Sequence, residues 1–175
     1  YWMRTGPEFW SFLAQELIIA GWSVVILGYP KAPTVRVSEI TRSVERAIDH
    51  VASITEGPLR LVGHSAGSHL VSRMLCDDRF GKDVFSRIDR VIAISGLNDL
   101  RPLLHTKMNK VLKLDLGEAE NESSVFGIPK NIPMICWVGG QERPEFLRQT
   151  QLLVKAWRIY IDVIQMEVAP QHDHF

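Results

Sequence analysis

Cysteine is scarce: Cys76 and Cys136 are the two in 175 residues, too few for a disulfide framework. Both stand among apolar neighbours, the setting of reduced core thiols in a cytoplasmic protein. Excess charge of either sign is lacking as well. Twenty Lys and Arg balance twenty Asp and Glu, so nothing favours nucleic acid or an anionic membrane surface as a partner. No apolar run approaches the roughly 18 residues of a membrane span, and no signal-peptide pattern opens the sequence. Repeats, low-complexity tracts and Gly/Ser linkers are missing too. What remains, at 46% hydrophobic residues, suits one domain with its own core.

The apolar pattern alternates between helix and strand. Residues 7–20 carry Phe9, Phe12, Leu13 and Leu17 at helical spacing, opened by Pro7 and closed by Gly21. Trp22–Leu27 is short and β-branched, which predicts a buried strand. Ser38 is placed to cap a helix whose apolar face is Ile40, Val44, Ala47, Ile48 and Val51. Further strands are predicted at 59–62, 90–95, 132–138 and 163–168, and further helices from Ser68 to Leu75 and from Pro144 to about Tyr160. Five strands, most of them separated by helices, imply an α/β fold with a largely parallel sheet and helices on both faces. In such sheets the site lies beyond the carboxyl ends of the strands.

The chemistry starts at Gly63-His64-Ser65-Ala66-Gly67, a G-x-S-x-G motif between a strand and a helix. This is the setting of a nucleophile elbow, with the two glycines expected where a Cβ would collide with neighbouring backbone. Ser65 is then the nucleophile, and the Ala66 N–H is half of an oxyanion hole. A serine hydroxyl needs a base, and the base needs an orienting acid, in the chain order Ser, acid, His. Acid candidates follow the strand at 132–138. Glu142 lies free in the loop, whereas Glu145 lies in the first turn of a helix, where a carboxylate is usually a dipole partner. Base candidates follow the strand at 163–168: His172 and His174. Spacing alone does not choose between them, and His-x-His is also a metal-ligand spacing, though no Cys/His/Glu cluster completes such a site. His50 is expected at a solvent boundary, His64 to shape the elbow and His69 to pack, while His105 falls in the 96–127 excursion as a minor candidate for reaching the site.

These segments resemble the kynurenine formamidase (arylformamidase) group of α/β-hydrolases, close to small carboxylesterases. The likeness rests on Tyr29-Pro30-Lys31-Ala32-Pro33, Gly63 to Leu70, Ser95-Gly96-Leu97-Asn98-Asp99-Leu100-Arg101-Pro102-Leu103, Pro144-Glu145-Phe146 with Arg148-Gln149, and His174-Phe175. The elbow is common to many esterases, while the stretches at 95–103 and 144–149 are narrower signals. The resemblance implies an α/β-hydrolase fold with Glu142 as acid, two residues before P-E-F, and His174 as base, being the histidine followed by Phe. Most members have Asp where this chain has Glu142. It further implies hydrolysis of N-formylkynurenine to kynurenine and formate in tryptophan breakdown, with no metal or organic cofactor.

The group also carries His-Gly-Gly before Tyr-Trp, further strands before it and a helix after the final histidine. This chain opens at Tyr1-Trp2 and stops at Phe175. The expectation is a single domain, partial at both ends, with residues 96–127 as a cap-like excursion holding Leu103, Met108 and Leu112. An unpaired sheet edge and apolar face of that kind favour association, a homodimer included. Tyr1, Trp2, Tyr29 and His64 are the expected walls of a pocket for a small aryl formamide or ester. A general carboxylesterase for short acyl esters is the competing reading, and a non-catalytic binding protein of the same fold a lesser one.

Overall fold

The computed structural model describes residues 2–76 and 79–175. Four strands form one parallel sheet in the order β1 (Leu59–His64), β2 (Ile88–Ile94), β3 (Met134–Gly139) and β4 (Ile164–Ala169). The register aligns their carboxyl ends: His64 pairs with Ile94, Ile94 with Trp137, and Gly139 with Ala169. The loops that follow all four strands therefore open at one end of the sheet, where the sequence places its candidate residues.

Two long helices lie on the sheet, and a third, α3 (Val37–Ile54), packs against one of them. In α3, Ile40, Val44 and Ile48 are buried, each side chain contributing about 1.5–3 kcal/mol. The residue preceding its first turn is Arg36, not Ser38, and the Glu39 carboxylate accepts from the Arg36 N–H at 2.8 Å. The Ser38 N–H is instead taken by Glu118, so a distant carboxylate does what a local hydroxyl was expected to do. Next comes α4 (Ala66–Met74), almost wholly buried against β1 and β2, and α8 (Pro144–Trp157) lies along β3 and β4. Short helices complete the set: α1 (Pro7–Trp10), α2 (Gln15–Ile19), α5 (Lys82–Arg87), α6 (Asn109–Leu112) and α7 (Leu116–Asn121).

Trp22–Leu27 is not a strand: it finds no ladder partner among the described residues, and Val25 is exposed. A strand is a pairing as well as a pattern, and here the segment meets the sheet through a side chain, the Arg60 guanidinium lying 4.4 Å from the Trp22 ring. The helix expected over 7–20 is broken into α1, a 3-10 turn at Ser11–Ala14 and α2, with no buried residue in any of them. Cover on both faces is met on one face among the described residues. Leu61, Val91, Ala93, Met134, Cys136 and Val138 are buried, while Val62, Trp137 and Val168 on the other face are exposed, because no described helix packs there. The excursion at 96–127 buries Leu103 and Leu112 in the core, with Met108 partly buried against it. It is fastened to the helix layer by Trp157, whose indole N–H donates to the Ser124 carbonyl at 3.1 Å.

Candidate active site

The elbow is built by crowding on one side. A Cβ on Gly63 would sit 2.1 Å from the Gly67 carbonyl oxygen, so the strand can meet the helix only through a glycine. Gly67 does not share that constraint: a Cβ there meets nothing within 4 Å beyond its own turn among the described residues. The collision expected of both glycines belongs to Gly63. Between them Ser65 takes φ 55°, a left-handed conformation that side chains rarely adopt. Its N–H is tied to the Ile94 carbonyl at 2.8 Å and its own carbonyl accepts from His69 at 3.2 Å. Those bonds hold the strained residue in place with its hydroxyl at the top of the sheet. Ala66 is the first residue of α4, so its N–H has no carbonyl one turn earlier to bind.

Two loops bring the partners. Gly139 ends β3 and Gly140 follows it, and a Cβ on Gly139 would fall 2.3 Å from the His172 carbonyl oxygen. The loop after β4 thus lies directly on the loop after β3, and the Gln141 N–H donates to the His172 carbonyl at 3.0 Å. That contact delivers His174 to Glu142. The His174 Nδ1–H donates to Glu142 Oε2 at 2.6 Å, and His174 Nε2 accepts from the Ser65 hydroxyl at 3.1 Å. A carboxylate only accepts, so Nδ1 carries the proton and Nε2 presents its lone pair to the serine. Ser65 is 3% exposed and Glu142 7%. The His174 ring is packed between Phe146, 4.3 Å away, and His64, 4.7 Å away. Burial pushes the His64 imidazole below its ordinary range, and the neighbouring His174 adds to that, so His64 stays neutral.

The other candidates lie elsewhere. The Glu145 carboxylate accepts from Arg148 within its own helix and from Gln149, and Arg148 holds it below the usual carboxylate range. His172 is exposed, contributing its backbone and not its ring to the contact above. His105 is exposed at the end of a 3-10 turn (Arg101–His105), and His50 is exposed on α3. Trp2 is fully buried and donates to His69 Nδ1 at 3.2 Å, a core position and not an open pocket wall. His69 is sealed between Trp2 and the Glu122 carbonyl, and burial pushes its pKa down to about 4. Tyr29 is half-buried, with its phenol pushed upward by burial. Tyr1, the remaining expected pocket residue, lies outside the described residues.

One contributor escaped the sequence reading. Ser95, the residue after β2, donates its hydroxyl to Glu142 Oε1. The Gly139 N–H donates to the same oxygen at 2.8 Å. The two narrow motifs also meet here. Gln149 accepts from the N–H groups of Asn98 and Asp99 at 2.9 and 2.8 Å and returns a bond to the Asp99 carbonyl. Their joint presence in the sequence was the one signal that the two segments touch.

No family profile matches the chain. A kynurenine formamidase of Salmo salar is 32% identical to it, over all of this chain and 63% of that relative. The chain thus spans a little under two thirds of the length of the curated relatives it matches. Among solved structures, a putative thioesterase from silicibacter sp. tm1040 superimposes with a TM-score of 0.89 at 41% identity, over 98% of this chain and 65% of that one. Esterase B from Lactobacillus rhamnosis shares the fold at a TM-score of 0.78 and 16% identity, over 99% and 65% of the two chains.

Proposed function

We propose that this chain, which resembles the kynurenine formamidases it matches in sequence, is a serine hydrolase of the α/β-hydrolase fold cleaving N-formylkynurenine to kynurenine and formate. The observation that carries the proposal is the continuous relay from Ser65 through His174 to Glu142. Ser65 Oγ attacks the formyl carbon as His174 Nε2 takes its proton, and Glu142 stabilises the imidazolium. The Ala66 N–H donates to the oxygen that gains charge. His174 then passes the proton to the leaving arylamine, so kynurenine departs and formyl-Ser65 remains. Water attacks that ester with His174 again as base, and formate is released. Every proton and electron pair in the two steps is accounted for by these groups and water. The rings of Phe146 and His64 beside His174 suit an aryl substrate.

A second reading is hydrolysis of short acyl esters or thioesters, favoured by the 41% identity to the putative thioesterase. It uses the same three residues. Turnover of N-formylkynurenine and p-nitrophenyl acetate by one preparation separates the two. Preference for the formamide supports the first reading. Ester turnover without formamide turnover replaces it with the second.

A further inference from the structure

We propose that Ser95 is a positioning residue of the relay, holding Glu142 so that one of its carboxylate oxygens faces His174. The inference rests on the serine-hydrolase reading above and adds a fourth side chain to it. A glutamate has three side-chain torsions, and a single bond to a histidine leaves its carboxylate free to swing. Here Oε1 receives two donors, the Ser95 hydroxyl and the Gly139 N–H, and Oε2 is left for His174 Nδ1. The two anchors come from two different strand ends, so the carboxylate plane is fixed by the sheet itself. Both Ser95 and Glu142 are buried, which keeps water from competing for Oε1.

The backbone at Ser95 points the same way. It sits at φ 53°, where glycine would fit without steric cost, and its N–H is pinned to the Trp137 carbonyl at 2.7 Å. A side chain held in that conformation, immediately after a core strand, places its hydroxyl in the loop of the neighbouring strand. The next residue makes the turn tight: a Cβ on Gly96 would fall 2.3 Å from Ser68 Oγ on α4. The Ser95-Gly96 turn thereby lies between the elbow helix, which Gly96 meets, and the acid loop, which Ser95 bonds.

Ser95→Gly removes the hydroxyl at a position that accepts glycine, and Ser95→Ala removes it while keeping the Cβ. Both are compared with the unmodified protein for p-nitrophenyl acetate hydrolysis and for the rate of Ser65 labelling by a fluorophosphonate, each also in a Glu142→Ala background. Loss of a hydrogen bond to a charged group predicts that both variants lose about 10- to 100-fold in kcat and labelling rate, with KM changed by less than about twofold. In the Glu142→Ala background the same substitutions are predicted to change the labelling rate by less than about twofold, because Ser95 acts through Glu142. Unchanged labelling in Ser95→Gly overturns the assignment. So does an equal loss with and without Glu142, which marks a merely structural serine. Labelling that depends on Ser95 in a protein inert to N-formylkynurenine removes the formamidase reading and leaves Ser95 in its role. A wild-type protein that is not labelled at all overturns both.

Discussion

At the scale of single residues the relay makes sharp demands. Ser65→Ala is expected to abolish turnover, by about a thousandfold or more, while leaving the far-ultraviolet circular dichroism unchanged. The two histidines of the terminal loop separate cleanly: His174→Ala is expected to match that loss, and His172→Ala to stay within about threefold, since its ring is exposed. Steady-state kinetics on the pair checks this, and equal losses contradict it. Ser65 and Glu142 stood out in the sequence because each follows a predicted strand in the order the chemistry requires, whereas His172 and His174 follow the same strand and were separated by the resemblance alone. Ser95 did not stand out. Its role exists only because β2 and β3 are neighbours, a fact that no local pattern around position 95 carries. Trp2 was misplaced for a related reason: an aromatic near a predicted site reads as a pocket wall until its buried partner, His69, is seen.

At the scale of elements, the elbow's one-sided crowding predicts an asymmetry between its glycines. Gly63→Ala forces a Cβ onto the Gly67 backbone and is expected to cost about 3 kcal/mol or more, or to prevent folding. Gly67→Ala, in an open position of α4, is expected to be neutral or slightly stabilising, by up to about 1 kcal/mol. Urea unfolding of the two variants tests this, and comparable losses would contradict it. The strands β1 to β4 and the helices α3, α4 and α8 were readable because each carries enough apolar periodicity to declare itself. Residues 22–27 and 7–20 carry the same signal, yet among the described residues the first finds no ladder partner and the second buries no side chain. Propensity proposes an element, and tertiary pairing decides whether it forms.

At the scale of the whole molecule, two properties follow from burial. His69 has a pKa of about 4 in the folded protein against 6.5 when exposed, chiefly through desolvation. A depressed value means the unfolded chain binds the extra proton first. The stability from a neutral His69 is therefore complete above about pH 6.5 and is lost as pH falls toward 4, by about 3 kcal/mol in all. His69→Gln is expected to flatten that part of the stability–pH curve, and an unaltered slope would contradict the assignment. Exposed apolar groups make the second property: Val62, Trp137 and Val168 on the open sheet face, with Phe9, Phe12, Ile18 and Ile19 on α1, α2 and the turn between them. Surfaces of that kind drive association, so sedimentation of this 175-residue chain is expected to show a concentration-dependent increase in mass. A monomer at all concentrations would contradict it.

The most direct test of the relay is to catch the acyl group on the chain. Protein mixed with p-nitrophenyl acetate and quenched in acid within the first turnovers can be digested and mapped by mass spectrometry. The account predicts one acetyl group per chain, on Ser65, absent from Ser65→Ala. Turnover that continues without an adduct on Ser65, or with the adduct on another residue, would contradict it.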